Sequence, residues 1–393
     1  MIFREAANPI HDWVPLLVPD MPSPHILMPW LERMHAARHY SNFGPLVKEL
    51  EICFSQGFGV PLEQLTTVTN ATLGLELVLQ ALDLPKGSHV LVPAFTFVAT
   101  ATAVVRTGHV PVLADVDPDC WMLTPEIARA ACQAIHIDAV IPVATFGMPH
   151  DMLAWQQFEQ DTGLPVVIDA AAAYGSQSLH GAQCTMVFSL HATKSLPAGE
   201  GGLVISTRPG LAARVRQLSN FGINLNPDAG MPVGALADVG SNAKMSEYHA
   251  AIGLASLQVW DTHAQQRRAL HADMVEEIGS VTGNALLWQM PGRGGPLMAP
   301  TLLCARLPDA NARIQMEQCC KTRRITTRRW YQPLLHDMPA MRGYCKLLPT
   351  PHAEQLASTL LGLPFFLGIS AAHRQSLRGA MMDWRALHQR SAW

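Results

Sequence analysis

The chain has 393 residues, 49% of them apolar and only 15% charged, which excludes a disordered protein and any need for disulfide or metal staples. Its 28 Lys and Arg against 31 Asp and Glu leave a net charge of −3, so no global field points to nucleic acid or an anionic membrane as partner. At roughly 150 residues per domain, the length suggests two or three domains.

In chain order, residues 1–5 lack the apolar stretch and small-residue cleavage site of a secretory signal. The longest uncharged run lies between Lys86 and Arg106. Pro93, Thr96, Thr100 and Thr102 interrupt it, so it reads as strand 89–92, a Pro turn and a buried helix start, not a lipid-facing span. Strands are predicted at 66–69, 89–92, 110–114, 139–144, 166–168, 185–190 and 203–207. Most are continuous apolar runs, as expected for strands covered on both faces. Helical patterns at 73–84, 125–134 and 211–219 fall between them. Repeated strand–helix–strand order predicts an α/β fold with a mostly parallel, seven-stranded sheet and right-handed crossovers. Beyond about residue 255 the pattern changes to a helix at 256–278, strands around 297–307, a helix at 310–320 and a terminal helix from Ala371. The expected division is a large domain, 1–255, and a smaller α+β domain, 256–393.

The eight cysteines show no CxxC and no Cys/His metal spacing. Scattered reduced thiols in a cytoplasmic protein are expected, with no metal.

Ligands of open α/β sheets bind beyond the carboxyl ends of the strands, and three segments stand there. Thr69-Asn70-Ala71-Thr72 follows the first strand and opens a helix, an anion site or simply an N-cap. Asp169 ends the run Val166-Val167-Ile168 and precedes four alanines; it suits a ring approaching closely, or an N-cap or internal ion pair. Ser189-Leu190-His191-Ala192-Thr193-Lys194 leads to Gly199-Glu200-Gly201-Gly202 and another strand. A lysine is usually a solvated charge, but one between buried strands is desolvated, as Schiff-base chemistry requires. Together the phosphate site, the carboxylate and the lysine suit pyridoxal 5'-phosphate.

These segments resemble the DegT/DnrJ/EryC1/StrS family of fold type I, pyridoxal-phosphate-dependent sugar aminotransferases. The likeness runs from Asn42-Phe43-Gly44-Pro45 to about Pro364. It includes Val92-Pro93-Ala94-Phe95-Thr96-Phe97, Asp115-Val116-Asp117-Pro118, Gly240-Ser241-Asn242-Ala243-Lys244-Met245-Ser246-Glu247 and Arg328-Arg329-Trp330-Tyr331-Gln332-Pro333. The resemblance implies that Lys194 is the Schiff-base lysine and proton shuttle and that Asp169 pairs with the pyridinium nitrogen. It implies further that Ala71 and Thr72 hold the phosphate with Ser189, that Phe97 stacks on the ring, and that Asn242 reaches the phosphate of a partner subunit in a homodimer. His191, Arg328 and Tyr331 become candidates for the substrate side.

The pattern also departs from the family's. Ala172 stands at the usual Gln near the cofactor's phenolic oxygen, Ala71 at a usual Gly, Ala144 at a usual His and Lys244 at a usual Arg. Ala71 is tolerable only with negative φ. The basic run 321–329 could meet a nucleotide diphosphate through Arg forks, or form a solvated surface. The expected activity moves an amino group from glutamate or glutamine to a keto-sugar, most plainly a nucleotide-linked one in deoxyamino-sugar biosynthesis. The alternatives are a cyclitol or other non-nucleotide ketone as acceptor, or a non-catalytic relative that binds the cofactor.

Overall fold

The computed structural model describes residues 13–390; the expectation about a secretory signal lies outside them. Helices α1 (Pro24–Ala37) and α2 (Pro45–Phe58) precede strand β1 (Leu65–Val68), α3 (Ala71–Ala81), β2 (His89–Pro93), α4 (Val98–Arg106) and β3 (Val110–Ala114). There follow α5 (Pro125–Ala134), β4 (Ala139–Val140), α6 (Met152–Thr162), β5 (Val167–Asp169), β6 (Thr185–Ser189), β7 (Gly202–Ser206) and α7 (Leu211–Ser219). The long α8 (Glu247–Thr282) leads to β8 (Leu287–Trp288), β9 (Leu303–Arg306), α9 (Ala310–Thr322), β10 (Lys346–Leu347), α10 (Pro351–Thr359), β11 (Leu360–Leu363) and α11 (Ala371–Arg390).

The seven predicted strands are present but pair as two four-stranded sheets, β1-β7-β6-β5 and β10-β3-β2-β4. All neighbours are parallel except at β7, which runs against β1 and β6. Isolated parallel bridges, Val140 to Val166 and Val143 to Asp169, join the two sheets. This differs from the single seven-stranded sheet of the sequence reading, and prolines explain the seam. Pro142 and Pro165 have no N–H to donate, so β4 stops at Val140 and not at residue 144. Across the seam the two Pro carbonyls accept from Asp169 and Val140 at 2.9 and 3.0 Å, and the Ala144 N–H donates to the Asp169 carbonyl at 2.9 Å. A separate antiparallel sheet, β11-β9-β8, forms later in the chain.

Alternate residues of the central strands enter two different cores, which is why these runs are apolar throughout. Ile168, Met186, Phe188, Leu203 and Ile205 pack with Leu50, Phe54 and Leu254 on one face. Val167, Val187 and Val204 pack with Leu75, Val78 and Leu79 on the other. Gly74 lets α3 lie close on the sheet: a Cβ there would stand 2.9 Å from Val187 Cγ1. A third core gathers Met274, Ile278, Leu303, Met316, Leu361 and Trp384 around Val14.

Helix α8 starts nine residues before its predicted first residue and carries the chain unbroken through position 255. Its early turns are buried nearly all round, at Ala250, Ala251, Gly253, Leu254 and Ala255, so they show no amphipathic period. Buried Glu247, in its first turn, accepts from the Leu46 and Val47 N–H groups at 2.8 and 2.9 Å. It thus caps α2, whose own N-cap, Gly44, has no side chain to offer. No helix among the described residues is long and apolar enough to cross a membrane. All eight cysteines are free thiols.

Candidate active site

The reactive residues gather beyond the carboxyl ends of β1, β5 and β6. Asp169 closes β5 and is 4% exposed. Its Oδ2 accepts from Thr100 Oγ1 at 2.8 Å and its Oδ1 from the Ala171 N–H at 3.1 Å. The Thr100 hydroxyl lies 3.1 Å from that of Thr96. Because Thr100 gives its single proton to the carboxylate, Thr96 must donate to Thr100. Burial pushes the Asp169 carboxyl up, against the opposing pull of Thr100, Ala171 and Lys194.

Lys194 sits in the turn between β6 and β7. Backbone bonds from Leu190 to Gly201, Ala192 to Gly199, Ala198 to Leu190 and Lys194 to His191, all 2.7–2.9 Å, fold this turn on itself. The lysine is half-buried. Desolvation pushes its amine down, and the nearby Asp169 charge opposes that shift. Each group is driven toward neutrality by burial and toward charge by the other.

Helix α3 begins at Ala71, with Asn70 as its N-cap: Asn70 Oδ1 accepts from the Leu73 N–H at 2.9 Å. The N–H groups of Ala71 and Thr72 have no intrahelical acceptor and stay available to an anion. Ala71 is not among the residues with positive φ, so its replacement of a glycine carries no backbone strain. Gly202 makes the close approach of β7 possible. A Cβ there would stand 2.7 Å from the Asn70 carbonyl carbon and 2.9 Å from the Ala71 nitrogen.

The Phe97 ring is half exposed and 6.5 Å from that of Tyr331. Tyr331 stacks on Phe146 at 5.6 Å and meets Phe95 edge-on at 5.1 Å. Burial raises its phenol, and Asp169 is near enough to add to the shift. Ser189 is buried at the end of β6, its Oγ accepting from the His191 N–H at 3.3 Å. His191 Nδ1 accepts from the Thr193 N–H at 3.2 Å and contacts Thr193 Oγ1 at 2.9 Å. That leaves the ring proton on Nε2, 3.7 Å from Glu200. His191 therefore helps to fold the lysine turn. Ala172 is half-buried, and its carbonyl would stand 2.6 Å from a Cβ at Gly147. Ala144 is buried and donates its N–H to the Asp169 carbonyl at 2.9 Å.

Of two remaining predicted positions, Asn242 stands apart from this group and Arg328 lies at its edge, where its charge is felt by the Tyr331 phenol. Asn242 is exposed, and its Oδ1 accepts from Lys244 Nζ at 2.7 Å; no described contact ties it to Lys194 or Asp169 within one chain. Arg328 is exposed and lies 4.2 Å over the Trp330 ring. In the basic run, Arg323 is paired with Asp383 at 2.7 Å and Arg329 with both oxygens of Glu317 at 2.7 and 2.8 Å. These two guanidiniums are committed to carboxylates of the same chain. Sequence reasoning missed Thr96 and Thr100, which served there only to break an apolar run. Their i, i+4 spacing across the start of α4 is the signal that was present.

The donor set is specific. A buried carboxylate outside every described ion pair, a desolvated amine, free helix-end N–H groups and a half-exposed aromatic ring fit a flat heterocycle with a cationic nitrogen, a carbonyl and a phosphate.

A sequence model of the DegT/DnrJ/EryC1/StrS aminotransferase family matches residues 28–381. A dTDP-4-amino-4,6-dideoxy-D-glucose transaminase from Shigella dysenteriae is 29% identical over 360 residues, 90% of this chain and 94% of that protein. The solved structure of DesI in the presence of its TDP-sugar product superposes with a TM-score of 0.82 at 31% identity, covering 97% of this chain and 96% of that one. That of S. venezuelae DesV in complex with a ketimine intermediate gives 0.77 at 26% identity, covering 95% and 98%. The chain thus belongs to the DegT/DnrJ/EryC1/StrS aminotransferase family and is a pyridoxal-phosphate-dependent transaminase.

Proposed function

We propose that the protein transfers an amino group from glutamate or glutamine to a keto-sugar carried on a nucleotide. The observation that carries this reading is the opposed pair, Lys194 and Asp169, each desolvated and each felt by the other, at the strand ends beside the α3 N-terminus. Bound pyridoxal phosphate supplies an electrophilic carbonyl and an electron-withdrawing ring. Lys194 Nζ would hold that carbonyl and would carry the proton of the substrate carbon as general base and acid. Asp169, fixed by Thr100 and Thr96, holds a proton on the ring nitrogen. The N–H groups of Ala71 and Thr72, with Ser189 Oγ, bind the phosphate, and Phe97 covers the ring face. Asn242 completes the phosphate site of a second subunit, which accounts for its exposure. Tyr331, His191 and Arg328 border the substrate side.

Supporting the nucleotide-linked acceptor is the likeness to DesI and to the Shigella transaminase, whose names carry TDP-sugars. The commitment of Arg323 and Arg329 to carboxylates favours a second acceptor, a cyclitol or other free ketone, since it removes two diphosphate-binding groups. The test is turnover of a panel of dTDP- and UDP-keto-sugars against cyclitol ketones, with glutamate and glutamine as donors. Amination confined to nucleotide-linked ketones is expected; amination confined to free ketones contradicts it.

A further inference from the structure

Two residues on one stripe of α8, Ser256 and Arg267, reach the lysine turn, and a third, Trp260, packs beside it. Ser256, Trp260 and Arg267 are spaced i, i+4 and i+11, which at 3.6 residues per turn keeps them on the same side. Ser256 Oγ donates to the Pro197 carbonyl at 2.6 Å. Trp260 meets Tyr174 edge-on at 5.4 Å. Arg267 Nη1 donates to the Ser195 carbonyl at 2.7 Å. Ser195 immediately follows Lys194, and its own Oγ donates to the Tyr174 carbonyl at 2.8 Å. The residue that follows the lysine is therefore gripped at both its carbonyl and its side chain.

Arg267 is itself 4% exposed. A guanidinium so deeply placed needs a carboxylate, and Asp20 provides one from far away in the sequence. Asp20 Oδ2 accepts from Nη2 at 2.6 Å and from Nε at 3.2 Å. The segment bearing Asp20 is anchored independently. The Val14 N–H donates to the Arg324 carbonyl at 2.8 Å, the Thr326 N–H to the Val14 carbonyl at 3.0 Å, and the Phe365 N–H to the Leu16 carbonyl at 2.9 Å.

We propose that Asp20, Arg267 and Ser195 form a positioning relay, in which the N-terminal segment orients the guanidinium and the guanidinium fixes Ser195, the residue that follows and so aims Lys194. Arg267 touches none of the reacting groups and acts only through the backbone. Its planar fork serves two partners at once, one arm to the carboxylate and one to the carbonyl, which a lysine ammonium cannot reproduce. The inference rests on the assignment of Lys194 as the Schiff-base lysine.

The experiment compares Arg267→Lys, Asp20→Asn and Val14→Ala with wild type. Val14 is 5% exposed and anchors the same segment without touching Arg267. The readouts are melting temperature, rate of pyridoxal phosphate uptake by apoprotein, pH midpoint of the visible band, and kcat and KM. Arg267→Lys and Asp20→Asn are expected to slow uptake and kcat about 10-fold, because a misplacement of about 1 Å can cost about 100-fold. Donor KM should stay within about two-fold and the pH midpoint of the band should move. Val14→Ala should lower the melting temperature while uptake and midpoint stay at wild-type values. The relay is overturned if Arg267→Lys keeps wild-type uptake, midpoint and kcat, or if Val14→Ala reproduces the changes at an equal loss of melting temperature. Should Arg267→Lys not fold, the isosteric Asp20→Asn decides by the same criteria. Failure of the Lys194 assignment reads out separately, as wild-type protein in which borohydride traps no cofactor on Lys194.

Discussion

The lysine turn at 190–201 and the basic run at 321–329 both present cationic side chains of the kind that meet a phosphorylated ligand, and the fold treats them oppositely. In the basic run the charges lie outside the core, and Arg323 and Arg329 are matched by Asp383 and Glu317. In the turn a single lysine is drawn toward the interior, its amine pushed down by burial, with a buried carboxylate as its electrostatic counterpart. Density of charge therefore marks a surface, whereas one charge in a dehydrated setting marks chemistry.

The comparison is broken most sharply at Lys194. Lys194→Ala should lower transamination by about 10²- to 10⁴-fold, the scale of a lost general acid–base, and abolish the borohydride-sensitive visible band. Steady-state rates and absorption spectra check both.

Asp169→Asn comes next, with an expected loss of at least about 100-fold in kcat, since the ring nitrogen loses its charged partner. It carries a pH signature as well. The Asp169 carboxyl lies above its ordinary value in the fold, so between the unfolded value of about 3.9 and the raised one the native state binds more protons. Stability then falls as pH rises through that interval. Asn has no proton to lose, so the Asp169→Asn apoprotein should melt higher than wild type at pH 8, the gap closing toward pH 4. Thermal melts of apoprotein across that range read the sign.

Gly202→Ala tests the neighbouring close approach. A methyl would press on the Asn70–Ala71 backbone, and pyridoxal phosphate should dissociate about 10-fold more easily, as spectroscopic titration would show, from loss of about one good charge-assisted hydrogen bond. Arg329→Ala is the smallest effect. An exposed ion pair is worth about 0.2–1 kcal/mol, so denaturation midpoints should move little and kcat not at all; a large loss of nucleotide-sugar turnover would restore the basic run to the site.

Much of this arrangement is legible in the sequence. The strand runs are apolar throughout because successive residues of one strand enter two cores, as Val187 and Phe188 do. Lys194 and Asp169 stand out together, because an amine and a carboxylate at the ends of such runs join the helix start at Ala71 in one constellation. Other features are written at long range and escape a linear reading. Thr100 meets Asp169 across 69 positions and Arg267 meets Asp20 across 247. Glu247 caps a helix that begins some 200 residues earlier. The start of α8 was hidden because burial all round erases the period that identifies a surface helix. Strand β4 is shorter than its apolar run because Pro142 has no N–H to contribute as strand interior.

The central claim is that the desolvated lysine between β6 and β7 is the cofactor's attachment point. Incubating the protein with pyridoxal phosphate, reducing with borohydride and mapping the peptides tests it directly. The account predicts one stoichiometric label, on Lys194; a label on another lysine, or none, would contradict it.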